Sequence, residues 1–344
     1  MKTTNTYKIN TGVSIENYKT LIFNLYKNYP NVAKSKVQEF EKTFSLNNPF
    51  FKYGKVENYF IFDDSQVVGH IAVIIDERFD DKGIVGFFEC ENRREYADQL
   101  FDKASIFLKN AGKKQYRGPI NISVWQNFRV SFPEDNQPFC LEPFTLGYYR
   151  DLFLNNGFDV GHQNITTTES IEKTKIKDYN SFYSKSINDG YSYQLLSEEN
   201  FKESIGDIYS LTSKIFEGSY SFYKISEEEF LYFAEQYTQI PKPYYVFLLK
   251  NSEHKSVGFF FAMPDIFNLN EKSLVLKTIG LLPEYQGKNL GSAMLYFVYM
   301  KAEKDGFKKF IFSTMSVDNE RIKSITDQNS VPYRKYEVFE KNLI

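Results

Sequence analysis

Apolar and polar positions in the first half of the chain predict a hairpin, a strand, a helix and a further strand, in that order. NYFIFDD and SQVVGHIAVIID are β-rich runs separated by a polar turn, and GIVGFFEC is typical of a short buried strand. The next apolar residues recur at three- and four-residue steps, as on one face of a helix. They are Ala97, Leu100, Phe101, Ala104, Phe107 and Leu108. Gly112 is a natural end for this helix, and KKQYRGPINISV is the next predicted strand.

The second half repeats this order. YYVFLLKN and KSVGFFFAMPD predict a hairpin, SLVLKTIGLLP predicts a strand, and FKKFIFSTM predicts a strand that follows a helix. The apolar face of that helix consists of Leu290, Met294, Leu295, Val298 and Ala302. Val68-Gly69 corresponds to Val257-Gly258, and Gly112 corresponds to Gly306. Chance likeness between common blocks is the alternative to a repeat.

We therefore predict two tandem α/β (α+β) domains, residues 1–172 and 173–344, each a mixed, mostly antiparallel sheet flanked by helices. Residues 133–149 are the most irregular stretch and are predicted to form a loop.

The stretch LLPEYQGKNLGSAML, residues 281–295, joins a predicted strand to a predicted helix through small residues. Pro283 ends the strand because it cannot donate a ladder hydrogen bond. The first N–H groups of the helix have no partner within it and carry partial positive charge. Gly287, Gly291 and Ser292 keep bulk away from these groups, and Lys288 adds charge at the rim. The pattern predicts a site for a phosphate or pyrophosphate, although it is neither a Walker loop nor GxGxxG.

This stretch resembles the pyrophosphate loop of the GNAT acyltransferase superfamily, Gln/Arg-x-x-Gly-x-Gly/Ala. Here the pattern reads Gln286-Gly287-Lys288-Asn289-Leu290-Gly291, with Asn289 in place of the first glycine. Asparagine is among the non-glycine residues that best tolerate left-handed backbone. The resemblance covers roughly residues 245–344, including TIGLLPEY and the Asp-Asn pair after FIFSTMSV. The alternative is an ordinary glycine-rich turn.

The resemblance implies a GNAT fold and an acyl-CoA donor bound by one set of residues. They are Ile279, Gly280, Leu281, Gln286, Gly287, Lys288, Asn289, Leu290, Gly291, Ser292 and Asn319. The first half also looks like bacterial tandem GNAT proteins, over roughly residues 85–160. Its strand-to-helix turn, FFECENRREYADQL, has charged residues and no glycine. We therefore expect the first domain to lack a CoA phosphate site.

The sequence does not identify the catalytic acid or base. In the GNAT superfamily an amine attacks the thioester directly, and the protein supplies proximity, a base and an acid. The tyrosine acid expected about seven residues after Asn319 is absent, because Thr326 occupies that position. The strand SLVLKTIGLLP lacks the expected glutamate base and has only Lys277, which is more typical of a solvated or pocket residue. Other candidates for the acid are Ser324, Tyr333 and Tyr336.

Composition disfavours several classes of protein. Lys and Arg total 42 and Asp and Glu total 44, so the basic excess of a nucleic-acid-binding protein is missing. Two cysteines, Cys90 and Cys140, make neither a disulfide scaffold nor a zinc site, and no metal is expected. The N-terminus has no long apolar core, and no run approaches ~18 apolar residues. The sequence therefore predicts a cytoplasmic protein with no membrane span.

The predicted function is acyl-CoA-dependent acyl transfer, with an acetyl or longer group passing to the amine of a small molecule. The acceptor, the acyl chain length and the oligomeric state are left open. Two alternatives remain. Asn289 and the missing acid and base favour a non-catalytic CoA-binding or sensor module. A tRNA-dependent aminoacyl or peptidyl transferase would not need the loop, but the near-neutral charge disfavours it.

Overall fold

The computed structural model describes residues 7–78, 81–134, 136–234, 245–318 and 330–343. In the first half the elements are β1 (Lys8–Thr11), α1 (Ile15–Leu25), α2 (Pro30–Thr43), β2 (Gly54–Asp63), β3 (Gln66–Asp76), β4 (Lys82–Cys90), α3 (Arg94–Asn110), β5 (Gln115–Gly118), β6 (Val130–Phe132), α4 (Tyr149–Asn155) and β7 (Asp159–Ser170). In the second half they are α5 (Asn180–Asn188), β8 (Ser192–Leu195), α6 (Glu198–Ile215), α7 (Glu227–Ala234), β9 (Tyr245–Lys250), β10 (Ser256–Pro264), β11 (Ser273–Leu281), α8 (Leu290–Lys304), β12 (Lys309–Ser316) and β13 (Val331–Asn342).

Contacts divide the chain into two compact units. The first unit is Met1–Pro138, Pro143–Gln163 and Lys335–Ile344, and the second is Phe139–Glu142 and Asn164–Arg334. These units differ from the division between residues 172 and 173, because strand pairing assigns the last part of each repeat to the other unit. Most of β7 pairs with β12 in the second unit, and the end of β13 pairs with β5 in the first.

The sheets of the two units have the same topology. In the first unit the strand order is β1-β2-β3-β4-β5-β13, and in the second it is β8-β9-β10-β11-β12-β7. In each, the first four strands are antiparallel neighbours and the fourth is parallel to the fifth. Val68-Gly69 and Val257-Gly258 lie on β3 and β10, the third strand of each order. The predicted tandem α/β fold is therefore confirmed.

The sheet of the second unit has an apolar core on each face, since successive strand side chains point to opposite sides. On one face α8 packs on the sheet, and the predicted apolar residues of that helix are all buried there. On the other face α6 packs with Phe139 and Cys140. Strand β11 contributes to both faces, with Leu274 and Leu276 against α8 and Val275 against α6.

The described ranges contain neither a membrane-spanning helix nor a metal-ligand cluster. None of their helices has the length and apolar character needed to cross a membrane. They also hold no group of three or more His, Cys, Asp or Glu side chains arranged as a metal site requires.

Candidate functional site

Strands β11 and β12 separate partway along their length in the second unit. They pair in parallel over residues 273–276 and 309–312, whereas β11 stays paired with β10 to its end. The pairing with β10 contains a bulge at Lys277, which bends the strand where the separation begins. We call the opening between residues 277–281 of β11 and residues 313–316 of β12 the fork.

The chain after β11 turns back through two left-handed residues before it enters α8. A short 3-10 turn, Pro283–Tyr285, follows the strand. Gly287 has φ +76°, and Asn289, the N-cap of α8, has φ 58° and ψ 14°. Asparagine is enriched in this conformation, so Asn289 fits the position at which the GNAT pattern has glycine. The side chain of Gln286 ties the turn to the strand, since Nε2 donates to the carbonyl oxygen of Leu281 at 3.1 Å.

The first turn of α8 presents uncovered backbone. Its first N–H groups belong to Leu290, Gly291 and Ser292, while Ala293 N donates to Asn289 O at 3.0 Å and begins the intrahelical bonding. A Cβ atom on Gly287 or Gly291 would meet nothing within 4 Å. The helix dipole adds partial positive charge at this end. We call residues 287–292 the anion seat, because they offer backbone donors in open space to a phosphate group.

One wall of the fork is the last part of β11. Thr278, Ile279, Gly280 and Leu281 are all half-buried. Ile279 and Leu281 pack against the α8-side core. A Cβ on Gly280 would approach Ile215 Cγ2 to 2.6 Å, so this residue lies close to α6. The predicted residues on β11 are thus continuous along the chain with those of the anion seat, while Asn319 lies outside the described residues.

Three polar side chains meet at the narrow end of the fork. Lys277 Nζ donates to the carbonyl oxygen of Leu141 at 2.9 Å and forms an ion pair with Glu142 Oε1. Ser313 Oγ donates to the same carboxylate oxygen at 2.6 Å. Lys277 and Ser313 are the first residues of β11 and β12 after their ladder ends. The side chain of Glu142 is 1% exposed and that of Lys277 is 27% exposed.

The carboxylate is fixed in place by its chain segment. Cys140 N donates to Asp265 Oδ1 at 3.0 Å, and Cys140 Sγ donates to the carbonyl oxygen of Pro264 at 3.5 Å. Leu141 has φ 70° and packs with Phe139 on the α6 side of the sheet. Residues 139–142 are therefore part of the second unit although they come from the first half of the sequence.

Sequence reasoning missed Glu142, which lies in the stretch predicted to be an irregular loop. The one available signal was Lys277, since a lysine on a mostly buried strand requires an opposite charge. That requirement does not say where along the chain the partner lies.

The other candidates for the catalytic acid do not form one group, since Tyr333 and Tyr336 belong to different units. Tyr333 belongs to the second unit, with its ring centroid 6.0 Å from that of Phe139. Burial raises its pKa above the ordinary tyrosine value. Tyr336 belongs to the first unit and is fully buried. Ser324 and Thr326 lie outside the described residues.

The corresponding opening of the first unit is filled by its own chain. Strands β4 and β5 pair over residues 82–84 and 115–117. Beyond this ladder, Ile120 N donates to Val85 O at 2.8 Å, and Phe87 N donates to Asn121 Oδ1 at 2.7 Å. A Cβ on Gly86 would lie 2.2 Å from the carbonyl oxygen of Ile120. Little space remains between these two strands.

The next turn of the first unit also differs from the anion seat. Arg93, the N-cap of α3, donates to Tyr96 Oη at 2.6 Å and to Asp63 Oδ2 at 3.3 Å. Side chains therefore cover this helix start.

Comparison with protein families finds the acetyltransferase (GNAT) family, whose model matches residues 206–324. Comparison with curated proteins finds no match. Among solved structures, a tandem GNAT protein from the clavulanic acid biosynthesis pathway has a TM-score of 0.62 and 10% identity, covering 98% of this chain and 99% of that one. A GCN5-related N-acetyltransferase from Sphaerobacter thermophilus has a TM-score of 0.58 and 8% identity, covering 98% and 96%. A probable N-acyltransferase from Enterococcus faecalis V583 has a TM-score of 0.59 and 10% identity, covering 98% and 73%. At these identities the likeness concerns the fold.

Proposed function

From the tandem GNAT fold of this chain, we propose that the second unit is an acyl-CoA-dependent acyltransferase that acts on the amine of a small molecule. The observation that carries the proposal is the anion seat at the start of α8, reached directly from the strand that borders the fork. Backbone N–H groups at a helix start are suited to the pyrophosphate of CoA. The GNAT family model matches across this same segment.

The fork is suited to the pantetheine arm of the donor. Beyond residue 276 the edge of β11 that faced β12 leaves the ladder, so its backbone groups are directed into the fork. The amide groups of an extended arm pair with such an edge in the way that an added strand does. Five residues, 277–281, span roughly 16 Å at about 3.3 Å per residue. This length is comparable with that of an extended pantetheine arm, so we propose that the thioester lies near Lys277.

The reaction follows from this placement. The neutral amine of the acceptor attacks the thioester carbonyl, a C–N bond forms, the C–S bond breaks, and CoA leaves as a thiol after gaining a proton. Holding the two reactants together supplies a large part of the acceleration in such reactions. The filled opening of the first unit leads us to propose that it binds no CoA. We also propose a cytoplasmic location, which two free, buried cysteines fit.

Calorimetric titration of CoA into wild type and loop variants tests the proposal. Gly291→Val places a β-branched side chain over the anion seat and disturbs the backbone donors. Losing one hydrogen bond to a charged group costs roughly 1.5–3 kcal/mol, or about ten- to a hundredfold in Kd. Asn289→Gly keeps the left-handed turn and is expected to bind CoA as tightly as wild type, or more tightly.

Gly206→Val is the matched control, because it makes the same change within a helix. A Cβ on Gly206 meets only Glu227 Oε1, at 3.8 Å. Equal CoA affinity in wild type and Gly291→Val would show that the pyrophosphate binds elsewhere.

A non-catalytic CoA-binding or sensor module is the second candidate. The observation that favours it is the absence of the expected tyrosine and glutamate at Thr326 and on β11. Release of thiol from acetyl-CoA in the presence of an amine separates the two functions, since a sensor binds CoA without turnover.

A further inference from the structure

The polar cluster at the narrow end of the fork is built from both strands. Lys277 and Ser313 each donate to Glu142 Oε1, and Glu142 is held by a segment that Asp265 anchors. A carboxylate this deeply buried requires a compensating charge, and the ion pair with Glu142 fixes the direction of the Lys277 side chain.

The ammonium of Lys277 retains capacity for a ligand. It has three N–H donors, and in the described part of the chain two are accounted for by Leu141 O and Glu142 Oε1. The side chain is 27% exposed, whereas its partner is almost fully buried. The ammonium group is thus partly accessible at the residue where β11 leaves its ladder with β12.

We propose that Lys277 is the general acid of the acyl transfer, donating its proton to the departing CoA sulfur, with Glu142 and Ser313 as positioning residues. The inference rests on the proposed function, because it requires the thioester at the fork. An extended pantetheine arm that starts at the anion seat ends near residue 277, as the length of β11 indicates. This assignment supplies the acid that the sequence pattern lacks at Thr326.

The protons balance without a further reactant. The acceptor amine loses one proton to solvent before it attacks. As the C–S bond breaks, its electron pair goes to sulfur and Lys277 supplies the proton that makes the thiol. The nitrogen that becomes the amide sheds a proton, which the neutral Lys277 amine accepts to restore the ammonium. By their reference values an ammonium group is a weaker acid than a thiol by about two pKa units, so the proton transfer is modestly uphill and is coupled to cleavage of the C–S bond.

The test measures thiol release from acetyl-CoA with hydroxylamine as a small amine nucleophile. Lys277→Met is expected to lower kcat about 100-fold, the usual size of general acid catalysis, with little change in KM for acetyl-CoA. Lys309→Met is the matched control, because Lys309 is also a strand lysine with a carboxylate neighbour, Glu271, at 3.6 Å.

Lys277→Arg separates acid catalysis from a merely structural cation. Guanidinium preserves the ion pair with Glu142 but does not give up its proton, so its kcat is expected to stay near that of Lys277→Met. Restoration of kcat by arginine, or a kcat in Lys277→Met equal to that of wild type, would overturn the assignment. Glu142→Gln with Lys277→Met removes both charges together and provides a second acid-free variant if the single variant unfolds.

Calorimetry on the same preparations separates this inference from the proposed function. If wild type binds CoA but releases no thiol from acetyl-CoA, the acid assignment fails while the CoA site stands. If wild type does not bind CoA, both fail.

Discussion

Removing the ammonium of Lys277 breaks its ion pair with the buried carboxylate of Glu142, and the stability of the second unit reports the cost. The side chain of Glu142 is 1% exposed, and Ser313 Oγ still donates to it at 2.6 Å in the variant's starting geometry. Breaking one side of a buried ion pair typically costs about 3–5 kcal/mol. Lys277 is partly open to solvent and Ser313 remains, so we expect Lys277→Met to cost about 3 kcal/mol. At about 2–4 °C per kcal/mol, Tm falls by about 6–12 °C.

A double-mutant cycle provides the decisive assay. Urea unfolding is measured for wild type, Lys277→Met, Glu142→Gln and the double variant. The double variant should recover most of the loss, because a neutral amide does not need the ammonium. A loss below about 1 kcal/mol in Lys277→Met, or a double variant as unstable as that single variant, would refute the buried ion pair.

Two further predictions concern the first unit. Burial lowers the pKa of His70 to about 3, whereas in the unfolded chain it is about 6.5, so between these values only the unfolded chain binds the proton. The free energy of unfolding should therefore fall by about 2 kcal/mol between pH 7 and pH 5. Urea unfolding of His70→Gln should show a weaker dependence of this free energy on pH. Gly86→Ala should destabilise this unit by more than about 2 kcal/mol, because its Cβ would lie 2.2 Å from a backbone oxygen, and an unfolding midpoint equal to wild type would disprove the close strand contact. The control is Gly206→Ala in α6 of the second unit, where the added Cβ would lie 3.8 Å from its nearest neighbour; it should be neutral or stabilising by up to about 1 kcal/mol.

Periodicity and turn residues were sufficient to predict the order of the hairpin, strand, helix and following strand in each half of the chain. The apolar spacing in both repeats predicted the two helices that the structure shows as α3 and α8. Gly112, with φ +74°, follows the end of α3 as expected. The strand predicted over KKQYRGPINISV is shorter, because β5 ends at Gly118 and Pro119 cannot donate to a ladder. These features depend on local backbone preferences, which the sequence expresses directly.

Features that depend on distant pairing were not predictable. Most of β7 pairs with β12, and the end of β13 pairs with β5. The apolar and polar pattern of β7 or β13 does not indicate which strand it pairs with. Glu142 likewise reaches Lys277 across 135 positions of sequence from an irregular segment. The anion seat could be predicted from the sequence because all of its residues are contiguous. The polar cluster at the fork could not, because it is assembled from three separate segments.

The central claim is that the second unit binds acyl-CoA through the anion seat and the fork. The most direct measurement is titration of ¹⁵N-labelled protein with CoA, following the backbone amide resonances. We predict large shifts for residues 287–292 and 277–281, with none for Glu89–Arg94 in the first unit. Shifts at Glu89–Arg94, or unchanged amides at residues 287–292 at saturating CoA, would contradict the account.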